Sequence, residues 1–166
     1  MESNVEFPKE EFLYTIKSAD VDIHGQGKAK DDAPKLHQKE GDAGADIYTG
    51  RSFGLPERTT SKISTGIYVR LPINVFALVL PRSSAMAKGL VIQGVVDNGY
   101  HGELKLIIHN TTDECITVSK DVSVAQLALF NTVPQLPKLV SNDIFGKVAV
   151  SERGSGGFGS TGNALK

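Results

Sequence analysis

An all-β barrel or sandwich is the fold that these 166 residues point to, and three observations carry it. Period-2 alternation recurs along the chain, most plainly in SKISTGIYVRL (61–71), where Ile63, Thr65, Ile67 and Val69 share one face. Short apolar runs are separated by the turn-like stretches LPIN, DNGYHG, NTTD and SKD. Helical periodicity is nearly missing, which argues against the alternating strands and helices of a parallel sheet.

Taken in order, FLYTIK (12–17) is a short β-prone segment, and the polar, glycine-containing stretch 22–44 reads as a long surface loop. ADIYTG (45–50) is a strand that ends in a turn. After the alternating strand at 61–71, VFALVL (75–80) is a continuous apolar run, the pattern of a strand buried on both faces. Only SSAMAKG (83–89) looks helical, with serines suited to cap its start and Gly89 to close it. In GVVDNGYHGELKL (94–106), Asn98-Gly99 between apolar runs is a hairpin signature, with Asp97 and Tyr100 on the rim. ELKLIIHN (103–110), ECITV (114–118) and SVAQLALF (123–130) complete the strands. From about Ser151 the chain is small, polar and glycine-rich. One domain is expected, without internal repeats.

Composition narrows the chemistry. Hydrophobic residues make up 40% and charged residues 22%, as in a soluble globular chain, and the formal net charge is −1. No global field would recruit nucleic acid or an anionic membrane, so neither is an expected partner, and an anionic ligand needs a local cluster. The single cysteine, Cys115, rules out an internal disulfide and reads as a buried, inert thiol. The acidic start MESNVEFPKEEF is not a signal peptide, and no apolar run approaches membrane length. A soluble intracellular protein is expected, cytoplasmic or, in a eukaryotic or viral setting, nuclear. His24, His37, His101 and His109 lack metal-ligand spacing, and no serine lies in a G-x-S-x-G elbow.

Five stretches carry polar groups suited to an anion. In LPRSSAMAKG (80–89), Arg82, Ser83 and Ser84 arrive where a short helix begins, either as an anion site or as an ordinary cap with a surface Arg. Asp97 either serves as a general base for an attacking water or bonds the backbone of its turn. Asp46, between Ala45 and Ile47, wants a partner, and an ion pair with an Arg competes with a catalytic role. Gln126, in the middle of an apolar strand, either bonds backbone or reaches into a pocket. RGSGGFGSTG (153–162) is either a slack tail or a backbone nest for an anion, with Arg153 supplying charge and Phe158 a ring to stack on a base. It lacks the GK[ST] of a P-loop.

In this order the stretches AGADIYTG (43–50), PRSSAMAKG (81–89), GVVDNGYHGELKLIIHN (94–110), VAQLALF (124–130) and RGSGGFGSTG (153–162) closely resemble the five motifs of the homotrimeric dUTPases. These are the deoxyuridine 5′-triphosphate nucleotidohydrolases. The resemblance implies a jelly-roll-like distorted β-barrel spanning 1–150, closed over by a flexible glycine-rich arm at 151–166. It implies hydrolysis of dUTP to dUMP and pyrophosphate, which limits uracil in DNA and supplies the precursor of dTMP.

By the same resemblance, Asp97 activates the water that attacks the α-phosphorus. Arg82, Ser83, Ser84, Gln126, Arg153, Gly159, Ser160 and Thr161 bind the phosphates. Gln93, Gly94, Val96, Asp97, Tyr100 and Phe158 surround the uracil and deoxyribose, with backbone groups reading the base. Asp46 supports the phosphate region. Mg²⁺ is the implied cofactor, held through triphosphate and waters with no direct protein ligand, and three sites are shared between subunits. Two departures stand out. Ser123 takes the place of the usual fourth-motif Arg, and the link from PRSS to GVVD is short, which leaves open whether Gln93 or a neighbour stands at the uracil-contacting position.

Three other readings bear weighing. A dCTP deaminase, from the same superfamily, needs a proton-shuttling Glu where this chain has Ile107. A nucleotide-gated regulatory protein on the same scaffold would use the 22–44 stretch as a partner surface. A purely structural trimer would not need Asp97, Tyr100, Arg82 and Arg153 together.

Overall fold

The strand with the most regular alternation is also the longest. Strand β5, Thr60–Arg70, buries Thr65, Ile67 and Val69 on one face and exposes its other side to varying degrees, as period 2 requires. In the computed structural model, which describes residues 12–16, 33–133 and 136–145, it forms the middle of a four-stranded antiparallel sheet. That sheet runs β1 (Leu13–Ile16), β5, β9 (Glu103–Asn110) and β7 (Leu90–Ile92). A five-stranded sheet runs β2 (Lys35–His37), β3 (Ala45–Tyr48), β11 (Ala125–Asn131), β6 (Val75–Pro81) and β8 (Gly94–Val96). A two-stranded ribbon pairs β4 (Phe53–Leu55) with β10 (Ile116–Val118).

The inward faces of the three sheets share one apolar core. Ile47, Val79, Ala125 and Leu127 come from the five-stranded sheet; Ile67, Leu104, Leu106, Ile108 and Ile92 from the four-stranded one; Leu55 and Val118 from the ribbon. Each Leu or Ile so buried contributes roughly 1.5–3 kcal/mol by leaving water. Asn110 is a fully buried polar residue beside this core. Its amide donates to the carbonyls of Leu55, Pro56 and Glu114, and its oxygen accepts from the Thr112 N–H and hydroxyl. It thereby knots β9, β4 and the 111–114 turn together.

The all-β expectation holds, with open sheets among the described residues rather than a closed barrel. Several local expectations give way. The stretch 22–44 is not loop throughout, because Lys35–His37 pairs with β3; residues 22–32 lie outside the described residues. Asn98-Gly99 is a turn, closed by the Tyr100 N–H on the Asp97 carbonyl at 3.0 Å, but the strands it joins are not a hairpin. β8 pairs with β6 and β9 pairs with β5 and β7, so the chain changes sheets there. Gly99 does not have the positive φ that a two-residue hairpin turn of type I′ requires. VFALVL buries Ala77 and Val79 but leaves Leu78 and Leu80 only half-covered.

Helix α1 (Ser83–Ala87) forms as expected and ends at Gly89, whose φ of +79° suits a residue without a side chain. A Cβ there would meet Thr111 and Thr112 at under 3 Å. Its N-cap, however, is Arg82 rather than a serine, and no side chain caps it. Cys115 is exposed, not buried, because it precedes β10 on the turn side. A second short helix, α2 (Asn142–Phe145), belongs to a separate unit that begins at Pro134. No described helix is long and apolar enough to cross a membrane.

Candidate active site

The outer face of the five-stranded sheet carries the first cluster. Residues directly opposite each other on antiparallel strands share a face. Register places His37 opposite Asp46, Asp46 opposite Gln126 and Gln126 opposite Leu80, so these four side chains form one row across β2, β3, β11 and β6. At the end of β6, Arg82 turns its guanidinium back onto the row, with Nη1 3.0 Å from Asp46 Oδ2. The partner that Asp46 wants is therefore Arg82. The pair is only partly shielded, with side-chain exposures of 40% and 22%, so its value lies in placing Arg82 more than in stability.

Gln126 donates from Nε2 to the Pro81 carbonyl at 3.3 Å, which holds the amide beside the start of α1. Of its two readings the backbone-bonding one is realised, on the polar face and not in the core. Gly44 is needed beneath it: a Cβ there would meet the Leu127 carbonyl at 2.9 Å and Gln126 Oε1 at 3.3 Å. The Arg82 N–H bonds the Val124 carbonyl at 2.9 Å, tying the helix start to β11. Ser83 and Ser84 follow with exposed side chains. Ser123 is buried and donates to the Ala125 carbonyl at 2.7 Å, so it serves its own strand and adds nothing to this surface.

The second cluster is the turn after β8. Gln93 is exposed, Gly94 packs against Val79, and Val96 is buried opposite Ala77. Asp97 then emerges exposed at the start of the turn. Asn98, which the sequence marks only as a turn residue, anchors it: its amide nitrogen donates to the carbonyls of Leu71 (3.2 Å), Pro72 and Val75 (3.4 Å). The Tyr100 hydroxyl donates to the Glu103 carbonyl at 2.9 Å, and the ring lies so close to Gly102 that any Cβ there would collide with it.

Glu103, whose carbonyl receives the Tyr100 hydroxyl, ties the end of this turn to β5. Its carboxylate accepts from the Ser64 hydroxyl and from the Gly66 N–H (2.7 Å), filling the register shift between Ser64 and Tyr68 in β5. Gly66 takes a φ of +73° there. Burial pushes the Glu103 carboxyl up, but the Ser64 and Gly66 hydrogen bonds and the Lys105 charge outweigh it and hold the group below the usual Glu range.

The two clusters are not brought together within one chain. Val96 pairs with Ala77 near the start of β6, while Arg82 follows the strand's other end. Asp97 and Arg82 are thus separated by about six residues of strand, roughly 20 Å at ~3.4 Å per residue. Arg153, Phe158, Gly159, Ser160 and Thr161 lie outside the described residues.

Comparison with known proteins bears on all of this. The dUTPase family model matches residues 32–162. The deoxyuridine 5′-triphosphate nucleotidohydrolase of Clostridioides difficile is 37% identical over 141 residues, covering 81% of this chain and 94% of its own. The Staphylococcus bacteriophage 80alpha dUTPase with dUPNHPP has a TM-score of 0.73 at 24% identity, over 92% of this chain and 99% of its own. A mutant phage phi11 dUTPase, described for its coordination of a structural Mg(II) ion, has a TM-score of 0.64 at 21% identity, over 81% and 99% of the two chains. At those identities the two structures speak to the fold alone.

Proposed function

The chain belongs to the dUTPase family, and on that premise we infer that it hydrolyses dUTP to dUMP and pyrophosphate, with Asp97 as the base. The observation that carries this reading is the family match across 32–162, a span that contains all five motifs.

The chemistry follows from the groups in place. Asp97 accepts a proton from a water that attacks the α-phosphorus, and the bond to the bridging oxygen breaks to release pyrophosphate. Charge builds on phosphoryl oxygens, and Arg82, Ser83, Ser84 and Gln126 supply N–H and O–H donors for it. Arg82 can hold Asp46 and a phosphate at once, since a guanidinium has five N–H donors. Backbone groups of Gln93, Gly94 and Val96 read the edge of uracil, where a fixed donor favours a carbonyl oxygen over an amino group. Tyr100, braced by Glu103 and Gly102, lies under the deoxyribose and leaves no room for a 2′-hydroxyl.

Arg153 binds the γ-phosphate, Phe158 covers the uracil, and Gly159, Ser160 and Thr161 wrap the phosphates, making 151–166 a closing arm on the 1–150 domain. The roughly 20 Å between Asp97 and Arg82 along β6 supports a site assembled from different copies of the chain, in a homotrimer.

Among the described residues no three His, Cys, Asp or Glu side chains gather as a metal site. A Mg²⁺ carried on triphosphate oxygens and waters would need few protein ligands, and Asp46, held 3.0 Å from Arg82, is the carboxylate beside the proposed phosphate donors. Bound there, Mg²⁺ would neutralise charge on the phosphates and hold them in one geometry.

The test is pyrophosphate release from dUTP, dCTP, dTTP and UTP with Mg²⁺, by the native chain and Asp97→Asn. Turnover confined to dUTP and reduced about 10²–10⁴-fold by Asp97→Asn is expected. Equal turnover by both proteins would remove Asp97 from its role, and deamination of dCTP would overturn the reaction itself.

A further inference from the structure

Asn98 and Gly99 form the one Asn-Gly pair in the 166 residues, and they lie between Asp97, the proposed base, and Tyr100. Shape does not demand the glycine. Its φ is not positive, and a Cβ added to it would meet nothing within 4 Å, unlike the crowded Gly89 and Gly102. Asp97, Asn98, Gly99 and Tyr100 are all exposed, so water reaches the whole turn. Among the described residues nothing accepts the Gly99 N–H. The bonds that anchor Asn98 to the Leu71, Pro72 and Val75 carbonyls all leave from its amide nitrogen.

We propose that Asn98-Gly99 is a self-modification site, at which the Asn98 side chain deamidates and releases the Asp97 turn. The Gly99 nitrogen gives its proton to hydroxide and attacks the side-chain carbonyl carbon of Asn98. The new N–C bond closes a succinimide, the bond from that carbon to the amide nitrogen breaks, and ammonia leaves with a proton taken from water. Water then opens the succinimide at either carbonyl, which leaves an aspartyl or an isoaspartyl residue at position 98. Glycine suits the step, because no Cβ stands against the approaching carbon and the backbone turns freely into the ring-closing conformation.

Either product dismantles the anchor. A carboxylate, which only accepts, takes the place of the amide hydrogens that three carbonyls hold. The isoaspartyl product also adds a methylene to the main chain. That extra length falls inside the turn closed by the Tyr100 N–H on the Asp97 carbonyl at 3.0 Å, so Asp97 and Tyr100 lose their spacing. The loss of catalysis rests on the proposed role of Asp97; the deamidation does not.

The native chain, Gly99→Ala and Asn98→Asp are held for days at body temperature in mildly alkaline buffer. Peptide mass spectrometry follows the replacement of NH₂ by OH at each asparagine, and enzymatic methylation detects isoaspartate. Melting temperature and pyrophosphate release from dUTP are measured on the same samples. In the native chain position 98 should convert, faster as pH rises, while Asn74, Asn110, Asn131 and Asn142, none of them followed by glycine, stay intact. Before ageing, Gly99→Ala should melt and turn over dUTP as the native chain does, since its methyl enters open space, and it should then convert about tenfold more slowly. Turnover and Tm should fall with the converted fraction, toward the values of Asn98→Asp. An amide at position 98 that lasts as long as those of the other asparagines overturns the proposal. So does conversion at an equal rate in Gly99→Ala, or a converted chain whose Tm and turnover match those of the fresh one. A fresh native chain that does not turn over dUTP defeats the proposed reaction but leaves deamidation and melting readable.

Discussion

Asn98 should control catalysis without touching substrate. Its amide hangs the Asp97 turn from the Leu71, Pro72 and Val75 carbonyls, linking the point where the chain changes sheets to the turn before β6. An amide nitrogen has two hydrogens, so two of the three bonds are made at any moment. The site is exposed, where each such bond is worth about 0.5–1.5 kcal/mol net, so Asn98→Ala should cost about 1–2 kcal/mol. For a chain of this size that is a fall in Tm of only a few degrees. Catalysis should suffer more, because a base displaced by about 1 Å loses on the order of 10²-fold in rate. We expect kcat for dUTP to fall about 10–100-fold while KM changes little, and Asn98→Asp, which turns a carboxylate toward three carbonyls, to be at least as impaired. The assays are steady-state pyrophosphate release and a thermal melt on the same samples. A kcat within twofold of native beside the expected fall in Tm would refute the argument, since the turn would then hold Asp97 without this anchor.

Three further outcomes follow from local geometry. Asn110→Ala removes donors to three carbonyls and an acceptor for Thr112 in the core, and should lower stability by about 3 kcal/mol or more in urea unfolding, because buried groups left unpaired cost about 1–3 kcal/mol each. Gly102→Ala sets a methyl against the Tyr100 ring and should displace it, so that discrimination between dUTP and UTP in kcat/KM narrows while the fold persists. Glu103 has its carboxyl lowered in the folded state, so its contribution to stability is present above the ordinary value of about 4.5 and is lost as pH falls through the lower folded value. The Tm difference between native and Glu103→Gln should therefore be widest near neutral pH and shrink below about pH 4.5.

What the sequence made legible was what one strand or turn encodes by itself. The alternation of Ile63, Thr65, Ile67 and Val69 states which face is buried, because side chains in a strand alternate whatever the strand pairs with. Asp46 among apolar neighbours announced a partner, since an uncompensated carboxylate there is costly, and Arg82 is that partner. Pairing was not legible. Asn98-Gly99 between apolar runs states that the chain reverses, but not that Val96 goes to β6 while Leu104 goes to the other sheet. Lys35–His37 is only three residues long and its exposed faces are charged, so nothing in its own pattern separates it from a loop; β3 makes it a strand. Glu103 reads as an ordinary strand carboxylate until the register shift it fills is seen. The five motifs name the members of the proposed site, but their order along the chain says nothing of the strand's length between Arg82 and Asp97.

That length yields a test of how the site is assembled. If Asp97 of one copy meets Arg82 of another, Asp97→Asn and Arg82→Ala damage opposite halves of each site, and each variant alone should be nearly inactive. Unfolded together in equal amounts and refolded, they should form mixed oligomers. A site works when its Asp97 half comes from an Arg82→Ala chain and its Arg82 half from an Asp97→Asn chain. With random mixing each condition holds half the time, so about a quarter of the sites should be intact in a closed ring of such interfaces. Pyrophosphate release from dUTP should then recover to about a quarter of that of native protein refolded in the same way. A site contained within one chain predicts no recovery at any mixing ratio, because every chain carries one lesion. Failure to recover in mixed oligomers confirmed by mass would require Asp97 and Arg82 to meet within one copy, against the strand that holds them apart.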